Sequence, residues 1–288
     1  LRVLMDLSKK KGESELGVVS RFKEIVANPS RYPLFESIAD NGALQYFDIQ
    51  GNRYPTYNDN GIQTAYYMEK TFVNRLRDLK DPRLFIFADK KPNSSGADDT
   101  DFDAYGGLLG SAPFDDNSAE AVAGEASRIN PRYYNDPINE PSLLMGYPEL
   151  QFILAEAVSR GWINGSAEEY YKNGIRGSFA FYHLEGVEDY LTNPGVPLDA
   201  SNTIEDILEQ KHIAMFMNTG WQIFYEQRRT GFPEFDISGG GVLNEGRIPT
   251  RWMYPESEAI NNPQHLEEAI SRQYSEGDNV NGVMWLIK

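Results

Sequence analysis

Apolar residues recur at helical spacing along most of the chain. Leu16, Val19, Phe22 and Val26 fall three or four positions apart and Asn28-Pro29 ends the run, so the first 28 residues are predicted to be helical. In "IQTAYYMEKTFVNRLRDL", Tyr66, Phe72, Val73 and Leu76 can share one face of a further helix. "DPRLFIFA" is a short unbroken apolar run and predicts a strand, with weaker strand potential at Leu44 to Ile49. From Pro141 onward the pattern is helical. "PSLLMGYPELQFILAEAVSRGW" aligns Leu150, Ile153, Leu154, Ala157 and Val158, with Gly161 as its stop. Ser166 and Glu169 form an S-x-x-E capping box before "AEEYYKNGIRGSFAFYH". Thr203 to Asp206 is a weaker cap for "IEDILEQKHIAMFMNTG", and "WQIFYEQRRTG" reads as a further helix or the same one bent at Gly220. Asn262 followed by Pro263 marks the start of a last helix. The short spacing between helices predicts stacked pairs. The expected fold class is therefore mostly α: an irregular helical domain with tetratricopeptide-like helix pairs, long loops and minor short β. No consensus repeat is strong enough to define an array.

Two stretches break the pattern. "NGALQYFDIQGNRYPTYNDNG" is rich in turn residues. Residues 89–140 form a long polar segment of Gly, Asp, Asn, Pro and Ser, and such stretches are usually functional or disordered when longer than about 15 residues. The second carries Phe102, Tyr105, Phe114, Tyr133 and Tyr134, which argues against disorder.

Composition narrows the function. With 40% hydrophobic and 24% charged residues the chain is globular, and 288 residues suffice for a sizeable core. A net charge of -16 repels phosphate backbones, which disfavours a nucleic-acid partner. With no cysteine there are no disulfides, thiolate nucleophiles or zinc–thiolate sites. No run approaches the roughly 20 apolar residues of a membrane span, and no signal-peptide pattern is legible. "LRVLMDLSKK" reads as the middle of an amphipathic helix without a cap, so the chain is expected to be part of a longer protein.

Motifs for catalysis are weak. His183, His212 and His265 lack metal-ligand spacing, and His212 lies on an apolar helix face, as a core residue would. There is no G-x-S-x-G, and "SGGG" at Ser238 to Gly241 lacks the ending of a phosphate loop. Glycoside hydrolysis needs two carboxyls about 5–10 Å apart; among 43 acidic residues no spacing singles out a pair. Asp99, Asp101 and Asp103 alternate like the start of a calcium loop, but Gly110 stands where the closing glutamate belongs, so calcium is only a possibility and no cofactor is expected. Aromatic faces stacked on sugar rings, with Asp and Asn meeting hydroxyls, would suit the same loop. The candidate ligand-binding residues are Asp101, Phe102, Asp103 and Tyr105, with Tyr54 and Tyr57 in "NRYPTYNDNG". The alternative for these aromatics is that they pin their loops to the domain.

Four blocks then carry a resemblance: "DPRL" (81–84), "GYPELQFILAEAVSRGW" (146–162), "EQKHIAMFMNTGWQIFYEQRRTGFP" (209–233) and "RIPTRWMYPESEAINN" (247–262). In this order the chain resembles the C-terminal portion of the SusD/RagB family, in its SusD-like branch, as one domain over 1–288. The resemblance implies a nutrient-binding lipoprotein on the outer face of a Gram-negative outer membrane. It would bind an oligosaccharide or in some branches a peptide, partner a SusC-like TonB-dependent transporter, and not be an enzyme. The family's lipobox cysteine, signal peptide and N-terminal tetratricopeptide helices are not seen in this sequence, so the membrane is expected to be reached only through a lipid anchor outside it. A glycoside hydrolase, or a transporter-stabilising protein that never touches cargo, remain the alternatives. The blocks themselves read as architectural. Arg247 and Arg251 are expected to pin the terminal segment by forked hydrogen bonds, Trp252 and Tyr254 to pack on helices, and Arg228 and Arg229 to complement a helix dipole before Gly231.

Overall fold

The computed structural model describes residues 1–288. Fourteen α-helices and one two-stranded sheet make up the regular structure, so the mostly α expectation holds. Gly42–Leu44 pairs antiparallel with Ser142–Met145, with Ala43 opposite Leu143.

The centre is a helix pair. Tyr147–Ser159 and Ala167–Phe181 pack along one another, and Thr203–Ala214 lies against both. Close approach is possible because the second helix carries glycine at the contact. A Cβ on Gly174 would stand 2.7 Å from the Phe152 ring, and one on Gly177 would stand 2.8 Å from the Tyr147 ring. The capping box starts this helix as expected: the Ser166 hydroxyl accepts the Glu169 N–H at 3.2 Å.

The Tyr147–Ser159 helix is apolar on more than the single predicted face. Phe152 and Ala155 join the main core with Phe87, Tyr171, Ile175 and Phe179. Ile153, Leu154 and Ala157 join a smaller core with Met5, Val18, Phe22 and Trp162. This helix thus separates two hydrophobic clusters and belongs to both, so its residues are buried nearly all round.

Two buried polar networks tie these helices to distant chain. Arg83 is wholly buried. It grips Asp81 with two nitrogens (2.9 and 2.6 Å) and donates to Ser178 Oγ (3.0 Å) and Gln210 Oε1 (2.7 Å), while the Tyr190 hydroxyl donates to Asp81 (2.6 Å). In the second network Arg229 forks onto Glu156 (2.5 and 2.8 Å) and also meets Glu226, to which Lys211 donates at 2.6 Å. All four side chains are 2% exposed or less. Burial opposes charge on each, but the paired opposite charges dominate: Glu226 is held down at about 2 and Arg229 above the usual arginine range.

Several local expectations are corrected. "DPRLFIFA" does not form a strand. The Asp81–Arg83 grip closes a turn and Leu84–Phe87 follows as a short helix, burying Leu84 and Phe87 three positions apart; run length alone could not separate the two outcomes. "IQTAYYMEKTFVNRLRDL" is two helices, Asn60–Thr64 and Lys70–Asp78, interrupted where Tyr67 bridges Arg128 and Glu69 bridges Leu108, and Tyr66 is exposed. "WQIFYEQRRTG" is a separate helix, Gln222–Thr230, ended by Gly231 at φ +89°. Arg229 is a core ion-pair partner more than a dipole complement. Of the two terminal arginines only Arg251 braces the chain, through Asp278 and the Asn279 carbonyl (3.4 Å); Arg247 meets only its exposed neighbour Glu245. Asn262 precedes its helix as expected, yet its side chain meets His265 Nδ1 (2.7 Å) and caps no backbone N–H.

Replacing Arg83 by Met strands the buried Asp81 carboxylate. It should lower unfolding stability by about 3–5 kcal/mol, whereas Arg247→Met should stay within about 0.5 kcal/mol. Urea titration of both variants checks this; equal midpoints would remove the structural role given to Arg83.

Candidate ligand-binding site

The six residues expected at the site divide by burial. Tyr54 and Tyr105 are not presented to solvent: they are 5% and 3% exposed and belong to the main core. Tyr54 packs edge-on to Tyr46 at 5.3 Å. Tyr105 lies 5.4 Å from Phe85, and its hydroxyl donates to the Asp99 carbonyl at 2.8 Å. Burial first, then Asp99, pushes its pKa up to about 12. Phe102 is partly buried against Phe85 at 4.6 Å, and Tyr57 is partly buried beneath the Arg53 guanidinium at 5.1 Å. For Tyr54 and Tyr105 the expectation of exposed stacking rings is therefore corrected: they fix their loops to the body, because folding the long segments over the core buries more apolar area than leaving the rings in water, whereas Phe102 and Tyr57 stay half-buried. Asp101 and Asp103 are exposed, but each is committed locally. Asp101 accepts the Asp103 N–H (3.0 Å), and Asp103 accepts from Arg77 (2.5 Å). No hydrogen bond, ion pair or ring contact joins this turn to Tyr54 or Tyr57, and no three acidic or histidine side chains converge as a metal site.

A cleft of about 680 Å³ lies elsewhere, between the Lys70–Asp78 and Thr203–Ala214 helices and the segment after Gly231. Its apolar floor is continuous: Phe72 stacks on Phe216 (5.5 Å, 12° between planes) and meets the His212 ring at 4.9 Å. Phe235 stands edge-on to His212 at 6.3 Å and is 37% exposed, forming one lip. Helix geometry places Glu205, Glu209 and His212 on one face at i, i+4 and i+7. Across the cleft, Glu69 caps the Lys70–Asp78 helix through the Phe72 N–H (2.9 Å), and that helix aims Phe72 and Arg75 inward.

Electrostatics set the character of this cleft. Arg75, its lone cation, is taken by Glu209. Burial nevertheless holds the Glu209 carboxyl up at about 7, with Arg75 pulling the other way. The His212 ring nitrogens have no hydrogen-bond partner among the surrounding side chains or backbone. Desolvation pushes the imidazole down to about 4, so it is neutral at pH 7 and offers one donor and one acceptor. Reading the chain by periodicity placed His212 in the core. The missed signal was its spacing from two glutamates on the same helix face, opposite an "FPEFD" segment that supplies Phe235.

A second aromatic group is exposed. Trp221, Tyr225 and Trp252 are 63%, 45% and 48% exposed, with Trp252 4.9 Å from Phe224 and the Arg228 guanidinium 3.5 Å above Phe224. Trp252 therefore packs on a helix as expected while leaving half its surface open.

A helical body with an aromatic-floored cleft in which His212, Glu205 and Glu234 have no hydrogen-bond partner is the construction of a ligand-binding protein. Residues 1–255 match the SusD-like model described as starch-binding and associating with the outer membrane, and the chain belongs to that family. It is similar over its whole length to an outer-membrane protein of Bacteroides vulgatus ATCC 8482 thought to bind nutrients (38% identity, TM-score 0.92, 65% of that chain). It is also similar to a SusD homologue of Bacteroides fragilis NCTC 9343 (43% identity, TM-score 0.85, 94% of this chain and 61% of that one). A chitin-binding protein aligns at 25% identity and TM-score 0.76, over 99% of this chain and 62% of its own. The chain thus spans 61% to 65% of the length of these relatives. No curated protein matches it. The family is associated with the outer membrane, and no helix here is long and apolar enough to cross one.

Because His212 is neutral when folded but titrates near 6.5 when unfolded, the unfolded chain binds more protons between those values, and stability falls as pH drops from about 6.5 to 4. His212→Gln should remove on the order of 2–3 kcal/mol of that loss. Unfolding at stepped pH checks it; an imidazole NMR titration centred near 6.5 in the folded protein would refute it.

Proposed function

We propose that the chain captures an oligosaccharide in the Phe72–His212–Phe235 cleft, as the cargo-binding part of a nutrient-uptake system at the outer cell surface. The observation that carries this reading is the cleft itself: stacked rings form its floor, and the unpartnered His212 and Glu205 offer hydrogen bonds to hydroxyls. Membership of a starch-binding family and likeness to a chitin-binding relative support a glycan over a peptide. In this reading a SusC-like TonB-dependent transporter takes the cargo, and a lipid anchor outside this sequence holds the protein to the membrane.

A second reading, glycoside hydrolysis, draws on Glu209, whose raised carboxyl suits a general acid. Its engagement by Arg75 favours binding over proton donation, since the carboxyl is already held by a fixed cation.

Calorimetry against starch and chitin oligosaccharides should find a ligand whose affinity falls about fivefold or more on Phe235→Ala, the loss of about 1 kcal/mol of ring contact. No heat with any oligosaccharide, or full affinity in the variant, would remove the cleft as the site. Release of reducing ends that stops in Glu209→Gln would favour the hydrolase.

A further inference from the structure

The charge lining this cleft is one-sided, and its composition differs from what a neutral sugar requires. Glu69, Glu205, Glu234 and Asp236 face it as carboxylates, and the fifth acid, Glu209, is held up at about 7 by burial opposite Arg75, the one cation. Arg75 is held by Glu209, and Glu69 is occupied with its helix start. Glu205 and Glu234 form no hydrogen bond or ion pair, and Asp236 accepts only the Ser238 N–H at 2.8 Å. These carboxylates are not ordered by internal partners, so their charge is directed at whatever enters.

The floor adds an independent indication. Phe72 and Phe235 pack against the His212 imidazole, whose two nitrogens are unpartnered, and Phe216 stacks on Phe72. Ring faces attract cations, the more so when desolvated. A neutral imidazole can accept a hydrogen bond from an ammonium group, whereas an imidazolium would repel it. Rings, a neutral acceptor and free carboxylates together form a cation-accepting pocket, and the same arrangement repels uronate or sulfate groups.

We infer that the ligand of this cleft is an amine-bearing oligosaccharide, a glycan with free, protonated amino groups, seated with an ammonium over the Phe72–His212–Phe235 floor and facing Glu205 and Glu234. This rests on the oligosaccharide reading above and deepens it by naming the charge of the sugar. Size favours a sugar over a lysine side chain: a cleft of about 680 Å³ with a continuous ring floor matches a rigid ring better than one thin aliphatic stem.

The test is calorimetry on the 288-residue chain with three probes of equal length: a β-1,4-glucosamine oligomer, its fully N-acetylated counterpart and an oligogalacturonate. At about pH 5.5 the amines are protonated and unperturbed carboxylates are ionised. The glucosamine oligomer should bind about tenfold tighter than the acetylated one. The gap should narrow as salt is raised, and oligogalacturonate should not bind. The double variant Glu205→Gln, Glu234→Gln should reduce the gap to less than about twofold; Glu234 is exposed and Glu205 half-buried without a partner, and an unchanged urea midpoint confirms that the variant is folded. If the acetylated oligomer binds as tightly as the amine form, with both weakened by Phe235→Ala, the charge inference falls and the cleft reading stands. If neither responds to Phe235→Ala, both fall. A lysine-rich peptide that displaces the glucosamine oligomer at lower concentration would overturn the sugar assignment.

Discussion

Everything else in this structure depends on keeping ionised groups paired inside a helical core. Glu156, Glu226, Arg229 and Lys211 come from three different helices, yet each carries its charge almost entirely away from water. Removing an ion from water costs several kcal/mol, and only well-formed opposite partners offset it. The pairing therefore works mainly as a specifier: any packing that fails to align the Tyr147–Ser159, Thr203–Ala214 and Gln222–Thr230 helices leaves bare charge behind. Arg83 does the same for the Asp81 turn, the Ala167–Phe181 helix and Gln210. Because both networks include residues of the Thr203–Ala214 helix, its orientation is fixed at Gln210 and Lys211. The cleft-facing set Glu205, Glu209 and His212 is carried by that same helix.

This division of labour explains what could be read from the chain. Helices showed themselves where local chemistry marks an end: the Ser166 cap, the Gly231 stop and the Pro263 start all act within a few residues. Four ordered blocks sufficed to indicate the family, because the buried ion-pair partners lie mostly within them. Where the outcome depends on distant chain, local reading failed. Nothing near "DPRLFIFA" reveals that Arg83 will meet Ser178 and Gln210, and without that the apolar run looks like a strand.

The site was harder for the same reason. A tyrosine beside Asn, Asp and Gly looks exposed, yet Tyr54 and Tyr105 are buried because long polar segments here fold over the core and insert their rings into it. Conversely, a histidine on an apolar helix face looks buried for packing alone. His212 is indeed desolvated, but it borders a cavity whose other wall begins more than twenty residues later in the chain. Only the fold brings Phe72, His212 and Phe235 together, and no spacing rule joins them.

The helix shared by the two hydrophobic clusters gives the molecule a common spine. Since Phe152 faces one cluster and Ile153 the other, a push on the small cluster around Met5 and Trp162 reaches the large one through a single rigid rod. Loosening of either side strips apolar cover from the same element. Whatever leans on the face formed by the first residues of this chain is thereby mechanically connected to the helices that frame the cleft.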